Sequence, residues 1–302
     1  IAFAGEFELE KNDVYRAVDE ELLRGRMQTE TGELFTRTGL FEDINRLTDA
    51  YKNRGYAYAN VTPNSTLNPE TQTVDLEMMV ERGELVYVER IDIIGNTRTR
   101  DKVIRREMRL FEGELYSELA VKSSKARIFQ LGFFETVEIT TSPGSEMSTV
   151  KLNVEIKEKS TGTFQVGAGF SSVESFIATA QISQNNFLGT GQSLSLSAQL
   201  SFGDFARQLA TVQFFEPYLF DTRFSLGMNA YVTQQLYRVF QRDATGMSPT
   251  LGYSITPDLR VSVGHTIESL KLTSTGGSGY ALDNFLEAGL NSAVNASVTY
   301  DT

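Results

Sequence analysis

The sequence predicts a multidomain chain, α+β in its first half and all-β in its second: two tandem β-α-α-β-β modules followed by an antiparallel transmembrane β-barrel sheet. Three observations predict it. One order of hydropathy patterns occurs twice, with a period of about 80 residues. After residue 160 the periodicity switches to strict alternation and stays there. The apolar faces of the alternating segments carry no Asp, Glu, Lys or Arg, as a lipid-facing surface requires, because a Lys or Arg near the midplane costs roughly 2–4 kcal/mol.

The first module is assigned to residues 1–86. A short strand at 2–7 precedes a helix at 13–24, with Asn12 or Asp13 as N-cap and Gly25 as its stop. A second helix is expected over 39–54, where Phe41, Ile44, Leu47 and Tyr51 recur at helical spacing. Strands are expected at 56–61 and 73–81, joined around Asn68, Pro69 and Glu70. Residues 87–159 repeat the order. A strand over 88–94 turns at Gly95 and Asn96, helices follow at 101–108 and 118–130, and two strands close the module with Val150, Leu152, Val154 and Ile156 on one face. Each core is one sheet face covered by two helices. The sheet edges could accept a strand from another chain, or the modules could serve as rigid spacers.

Residues 160–302 form the third region. Its first strand is read from STGTFQVGAGFSS, residues 160–172: Phe164, Val166, Ala168 and Phe170 alternate with Thr163, Gln165, Gly167, Gly169 and Ser171. Seven further strands follow, the sixth read as beginning at Met247 and the seventh as covering 259–267. Alternation alone does not separate a membrane barrel, apolar outward, from a soluble sandwich, apolar inward. Strand lengths of about ten residues favour the membrane, as do opposite faces of Ser, Thr, Gln, Asn and Gly. Loop lengths point the same way. Short turns are expected at 185–191, 216–222 and 256–258, and long far-side loops at 234–245 and 269–291, the last holding Gly276, Gly277 and Gly279.

Composition narrows the function. The formal net charge of −11 argues against nucleic acid as a partner. The basic run at 102–109 is diluted by Glu107, Glu112 and Glu114, which read as surface charge on a solvated face. There is no cysteine, hence no disulfide, thiolate metal site or cysteine nucleophile. No run of about 18 apolar residues offers a transmembrane helix; the mean hydropathy of −0.23 does not exclude a barrel. His265 stands among valines and reads as structural rather than as part of a triad. No metal-ligand spacing appears, the glycine pairs at 167–169 and 189–191 are too short for a phosphate loop, and Asn60-Val61-Thr62 is only a formal sequon. The expectation is no enzyme, no metal and no cofactor. An opening Ile1 in place of Met implies a processed protein or a fragment.

The motifs together resemble a known family. YVERIDIIGNTRTRDKVIRREM at 87–108, LGFFETVEI at 131–139, the 160–172 stretch, NNFLGTG at 185–191, EPYLFDTRFSLG at 216–227 and the closing TYDT are similar in order and spacing to the BamA family of bacterial outer-membrane assembly factors, and the modules resemble POTRA domains. The resemblance implies the last two of five POTRA modules, a penultimate one at 1–86 and a barrel-proximal one at 87–159, then the first eight of sixteen barrel strands. The family's late Arg-Gly-Phe loop motif is absent. The implied location is the outer membrane with the modules in the periplasm. The implied function is insertion of β-barrel proteins, with unfolded barrel clients, lipoprotein subunits of an assembly complex and outer-membrane lipid as partners. The first strand, Thr163 to Ser171, would be the edge that templates an incoming strand, with Gly167 and Gly169 weakening it locally. The loop with Leu110, Glu112 and Glu114 would dock the accessory lipoprotein, or be an exposed turn. The alternatives are a related polypeptide-secreting transporter and a passive porin, the latter having no need of docking modules.

Overall fold

The structure, a computed structural model, describes residues 1–5, 19–256, 258–275 and 289–301. It divides into two compact units, residues 1–97 with 104–159, and residues 98–103 with 160–302.

In the first unit, the leading module comprises β1 (Ala2–Gly5), α1 (Glu20–Arg26), α2 (Arg37–Lys52), β2 (Asn60–Asn68) and β3 (Thr73–Glu81). The sheet order is β1-β3-β2, with β1 parallel and β2 antiparallel to β3. Leu23 of α1, Leu47 and Tyr51 of α2 and Met78 and Val80 of β3 are fully buried against one another. The start of α1 is set by Asp19, whose side chain accepts from Leu22 N at 2.8 Å, and Gly25 lies inside the helix rather than ending it. Asn12 and Asp13 lie outside the described residues. β2 runs seven residues beyond the expected Val61, to Asn68. Pro63 reads as a breaker, yet β2 is an edge strand and can spare the missing donor. Asn68 Oδ1 closes the hairpin by accepting from Glu70 N and Thr71 N.

The second module repeats this topology with β4 (Tyr87–Ile94), α3 (Asp101–Arg105), α4 (Glu118–Gln130), β5 (Phe134–Pro143) and β6 (Thr149–Glu158), in the order β4-β6-β5. Val150, Leu152, Val154 and Ile156 share its buried face as expected. α3 ends three residues earlier than its pattern implied: Glu107 N and Met108 N donate to carbonyls three residues back, and this tightened turn takes Met108 into the core. The repeat extends to backbone detail. Gly5 and Gly95 both have φ near +90°, and a Cβ at either would collide with a carbonyl oxygen of the neighbouring strand, Val80 or Ile156. The modules are joined by more than chain. Asn53, the C-cap of α2, accepts from Leu119 N in the first turn of α4 at 2.6 Å, Lys122 pairs with Asp49 at 2.7 Å, and Val86 N donates to Gly55 O.

The second unit is a meander of eight antiparallel strands: β7 (Gly162–Ser171), β8 (Ser175–Phe187), β9 (Gln192–Phe202), β10 (Arg207–Glu216), β11 (Phe224–Leu236), β12 (Phe240–Ser254), β13 (Leu259–Ser274) and β14 (Gly289–Tyr300). The register keeps like with like: Phe164 faces Ile182, Val166 faces Ala180 and Phe170 faces Phe176. The apolar face is open, with Phe164 68% and Phe170 82% exposed. The polar face holds a three-strand joint. The Tyr231 ring lies over Gly246, where a Cβ would come within 2.6 Å of it, and its hydroxyl donates to Glu268, which also pairs with Arg242 at 2.8 Å.

β12 and β13 are longer than expected, so the connection between β11 and β12 is residues 237–239 rather than a loop over 234–245. The apolar alternation stops near Val232 and Met247, but the backbone ladder continues through Gln234, Gln241 and Asp243. Tyr237 and Phe240 stack at 4.6 Å to close the hairpin. The alternation of short and long loops therefore does not hold for the first three far-side connections. The interior of the fourth, with its glycines, lies outside the described residues, as does Pro257.

Residues 98–103 belong to this unit through the turn after β8. Asn186 Nδ2 donates to Thr99 Oγ1 at 2.8 Å in a buried setting, and Arg100 N donates to Gly189 O at 2.9 Å. Lys102 reaches both carboxylate oxygens of Asp221. Among the described residues no helix is long and apolar enough to cross a membrane.

Candidate functional site

All nine residues expected to form the substrate-strand edge, Thr163 to Ser171, lie in β7. β7 pairs with β8 along its whole length and stands at the end of the sheet order, so among the described residues its other edge has no partner strand. On such an edge alternate residues direct N–H and C=O groups away from the sheet.

The strand is pinned at its ends and thin between them. At its start, Gln184 Nε2 donates to Thr161 Oγ1 at 2.6 Å, Asn185 N donates to Thr161 O, and the Thr163 and Ser183 hydroxyls meet at 2.6 Å. At its finish, Ser171 Oγ accepts from Val173 N and Glu174 N, closing the turn into β8. In the middle Gly167 and Gly169 present no side chain; the space beside Gly169 is empty to 4 Å, and among the described residues the side-chain bond there is a long one, 3.5 Å, from Thr179 Oγ1 to Gly167 O. Cross-strand side-chain pairs normally contribute about 0.2–1 kcal/mol each. Two successive polar-face positions of β7 forgo that contribution. On the opposite face, Ala168 meets Ala178, the smallest apolar pair of the strand.

The loop expected to dock an accessory protein is zipped onto β4. Gly113 N donates to Val88 O at 2.7 Å and Val88 N donates to Glu114 O at 2.9 Å. Glu112 Oε1 accepts from Ile91 N at 3.0 Å and lies 3.4 Å from Arg105, while its side chain remains half exposed. Glu114 accepts from Phe111 N. Leu110 is 3% exposed and belongs to the core, so it holds the loop rather than offering a contact. Phe111, half exposed, is the apolar group that faces solvent there, and the sequence reading missed it. In a run of adjacent Leu and Phe only the strand-like alternation of the loop tells which one turns inward. Glu107 is not surface charge: it is buried and paired with Arg127 at 2.6 Å. His265 meets Ser292 Oγ at 2.9 Å, a structural contact between β13 and β14. Among the described residues no cluster of His, Asp and Glu has the arrangement of a metal site.

Two tandem modules of this topology, followed by an antiparallel sheet with an apolar outer face, define an outer-membrane protein with periplasmic modules. The chain belongs to the Omp85 superfamily and carries two POTRA domains: residues 6–83 and 86–159 match POTRA, described as a surface antigen variable number repeat, and residues 186–302 match the Omp85 superfamily domain. It is similar to the outer membrane protein assembly factor BamA of Neisseria meningitidis serogroup B, 33% identical over 221 residues, 73% of this chain and 27% of that protein. BamA of Neorickettsia risticii is 29% identical over 255 residues, 83% of this chain and 34% of that protein. The crystal structure of BamA from Haemophilus ducreyi lacking POTRA domains 1–3 aligns with a TM-score of 0.76 at 26% identity, covering 99% of this chain and 58% of that one. CdiB from Acinetobacter baumannii shares the fold alone, with a TM-score of 0.51 at 13% identity, over 100% of this chain and 58% of that one. The chain thus spans about a third or less of the length of these curated relatives.

Proposed function

We propose that the protein assembles β-barrel proteins into the outer membrane and that β7 is the strand on which a client strand is laid. The observation that carries this is the mid-strand weakness of β7 at an edge: donors and acceptors are presented where side-chain support from β8 is least. An incoming strand pairs with that edge by β-augmentation. No nucleotide or ion is needed, because lipid burial of apolar side chains and satisfaction of backbone groups supply the driving force. The name shared by the relatives supports the assembly role. Half-exposed Glu112, with Phe111 beside it, is the proposed contact for a periplasmic lipoprotein partner.

A cysteine at Phe164, in the full-length protein, is expected to form a disulfide with a cysteine in the last strand of an arrested client. Absence of any crosslink from Phe164 through Phe170 would count against templating and favour a polypeptide-secreting role. For docking, Glu112→Lys is expected to weaken lipoprotein co-purification while Glu112→Gln, which still accepts from Ile91 N, retains the module; equal co-purification of both would remove Glu112 from the contact.

A further inference from the structure

The outward face of the membrane sheet is interrupted by a groove. Across β9 to β12, toward the end of the sheet at which β7 finishes, this groove of about 420 Å³ opens. Two cross-strand rows build it. The lower row is Ala198, Ala210, Val232 and Thr245, consecutive partners in register, and the two alanines form a low floor. The upper row is Leu200, Gln208, Gln234 and Asp243. The row beneath the floor, with Leu196, Val212 and Met247, is wholly apolar. Along β10 the surface thus passes from apolar Val212 to small Ala210 to polar Gln208 within three outward positions.

The polar rim is fixed and has unused capacity. Gln241 Nε2 holds both carboxylate oxygens of Asp243, at 2.9 and 3.1 Å. Lys271 stands across from Asp243 in register. The side-chain amides of Gln208 and Gln234, partners in register, make no hydrogen bond to the described residues. Each offers a carbonyl acceptor and two N–H donors, and on this outward face they are open to a lipid headgroup.

We propose that this groove binds an outer-leaflet glycolipid: an acyl chain lies on the Ala198 and Ala210 floor, and the amide and hydroxyl groups of an acylated amino-sugar headgroup bond to Gln208 and Gln234. The leaflet follows from connectivity, since β7 starts within four residues of the end of β6 in a periplasmic module and the groove lies at the strands' other ends. The headgroup class follows from the rim. Paired neutral amides beside an acid and a base match a group rich in N–H, C=O and O–H, whereas a simple phosphodiester would use the lysine and leave both amides idle.

The test is native mass spectrometry of the full-length protein incubated with purified lipopolysaccharide, with phosphatidylethanolamine as competitor. Ala210→Phe fills the floor and Gln234→Leu removes one amide; both point toward lipid, and heat-modifiable gel mobility verifies that each variant folds. Retention of lipopolysaccharide is expected to fall roughly tenfold in Ala210→Phe and measurably in Gln234→Leu. Undiminished retention in a folded Ala210→Phe variant overturns the proposal. Equal competition by phosphatidylethanolamine overturns the glycolipid assignment and makes the groove a general phospholipid site.

Discussion

Single residues set several of the joints. Gly189 has a left-handed backbone, and a Cβ there would collide with the Arg98 carbonyl oxygen. Gly189→Ala is therefore expected to cost about 1–2 kcal/mol from the backbone alone and to release residues 98–103, seen as faster amide exchange in that segment. Glu89 anchors the β5–β6 hairpin. The Ser145 backbone N–H, then the Thr149 and Ser145 hydroxyls, pull its pKa from an ordinary 4.5 down to about 2. Because the folded value is the lower one, the anchoring is fully present above the ordinary carboxylate range and disappears as pH falls through about 2. Exchange in residues 144–149, corrected for intrinsic rates, should stay flat from neutral pH down to the ordinary carboxylate range near 4.5 and rise progressively from there toward about 2; Glu89→Leu should show the raised exchange at neutral pH. Asp43 has the same sign by a different balance. Burial opposes its charge, but the Gln28 and Thr29 N–H groups and nearby Arg46 outweigh burial and hold its pKa below the usual range. None of these roles was legible beforehand: an acid in a polar run gives no sign of which backbone amide it will meet.

Elements were more legible than their ends. β3 and α4 have the bounds their periodicity implies, because both turn a periodic face into a core, Leu76, Met78 and Val80 in β3 and Val121 and Ile128 in α4. β2, β12 and β13 overran their patterns, because ladder hydrogen bonds do not depend on apolar side chains. At this scale β7 invites a proline scan. Gln165→Pro and Val166→Pro remove N–H groups of opposite direction, one toward β8 and one toward the edge. The edge-directed loss should reduce outer-membrane protein levels in complemented cells with the barrel still folded, whereas the β8-directed loss should impair folding itself. Equal and mild effects at both positions would speak against templating. The α2–α4 joint makes a second case. Asn53→Ala removes a cap from α4 and should cost about 0.5–2 kcal/mol, visible as faster exchange in the first turn of α4 but not in its last.

Across the whole molecule, the alternation after residue 160 told which face each residue takes, and the register of all eight strands agrees. It did not tell which way that face points; uncovered Phe164, Val166 and Phe170 agree with an outward, lipid-facing direction, since soluble proteins rarely leave so extended an apolar surface open. Val212→Arg, on the outer face between Leu196 and Ala230, should destabilise the sheet by roughly 2–4 kcal/mol, while Thr211→Arg, one residue away on the polar face, should be tolerated. Heat-modifiable mobility in urea distinguishes the two.

The joint of Tyr231, Gly246, Glu268 and Arg242 has a mechanical consequence. It rivets β11, β12 and β13 side chain to side chain, while β7 and β8 are held mid-strand by backbone bonds and little else. The sheet is stiff at one side and compliant at the other. Any bending at the edge is then absorbed between β7 and β10, with β11 to β13 moving as a block, and amide exchange should slow in steps from β8 to β12 rather than uniformly across the sheet.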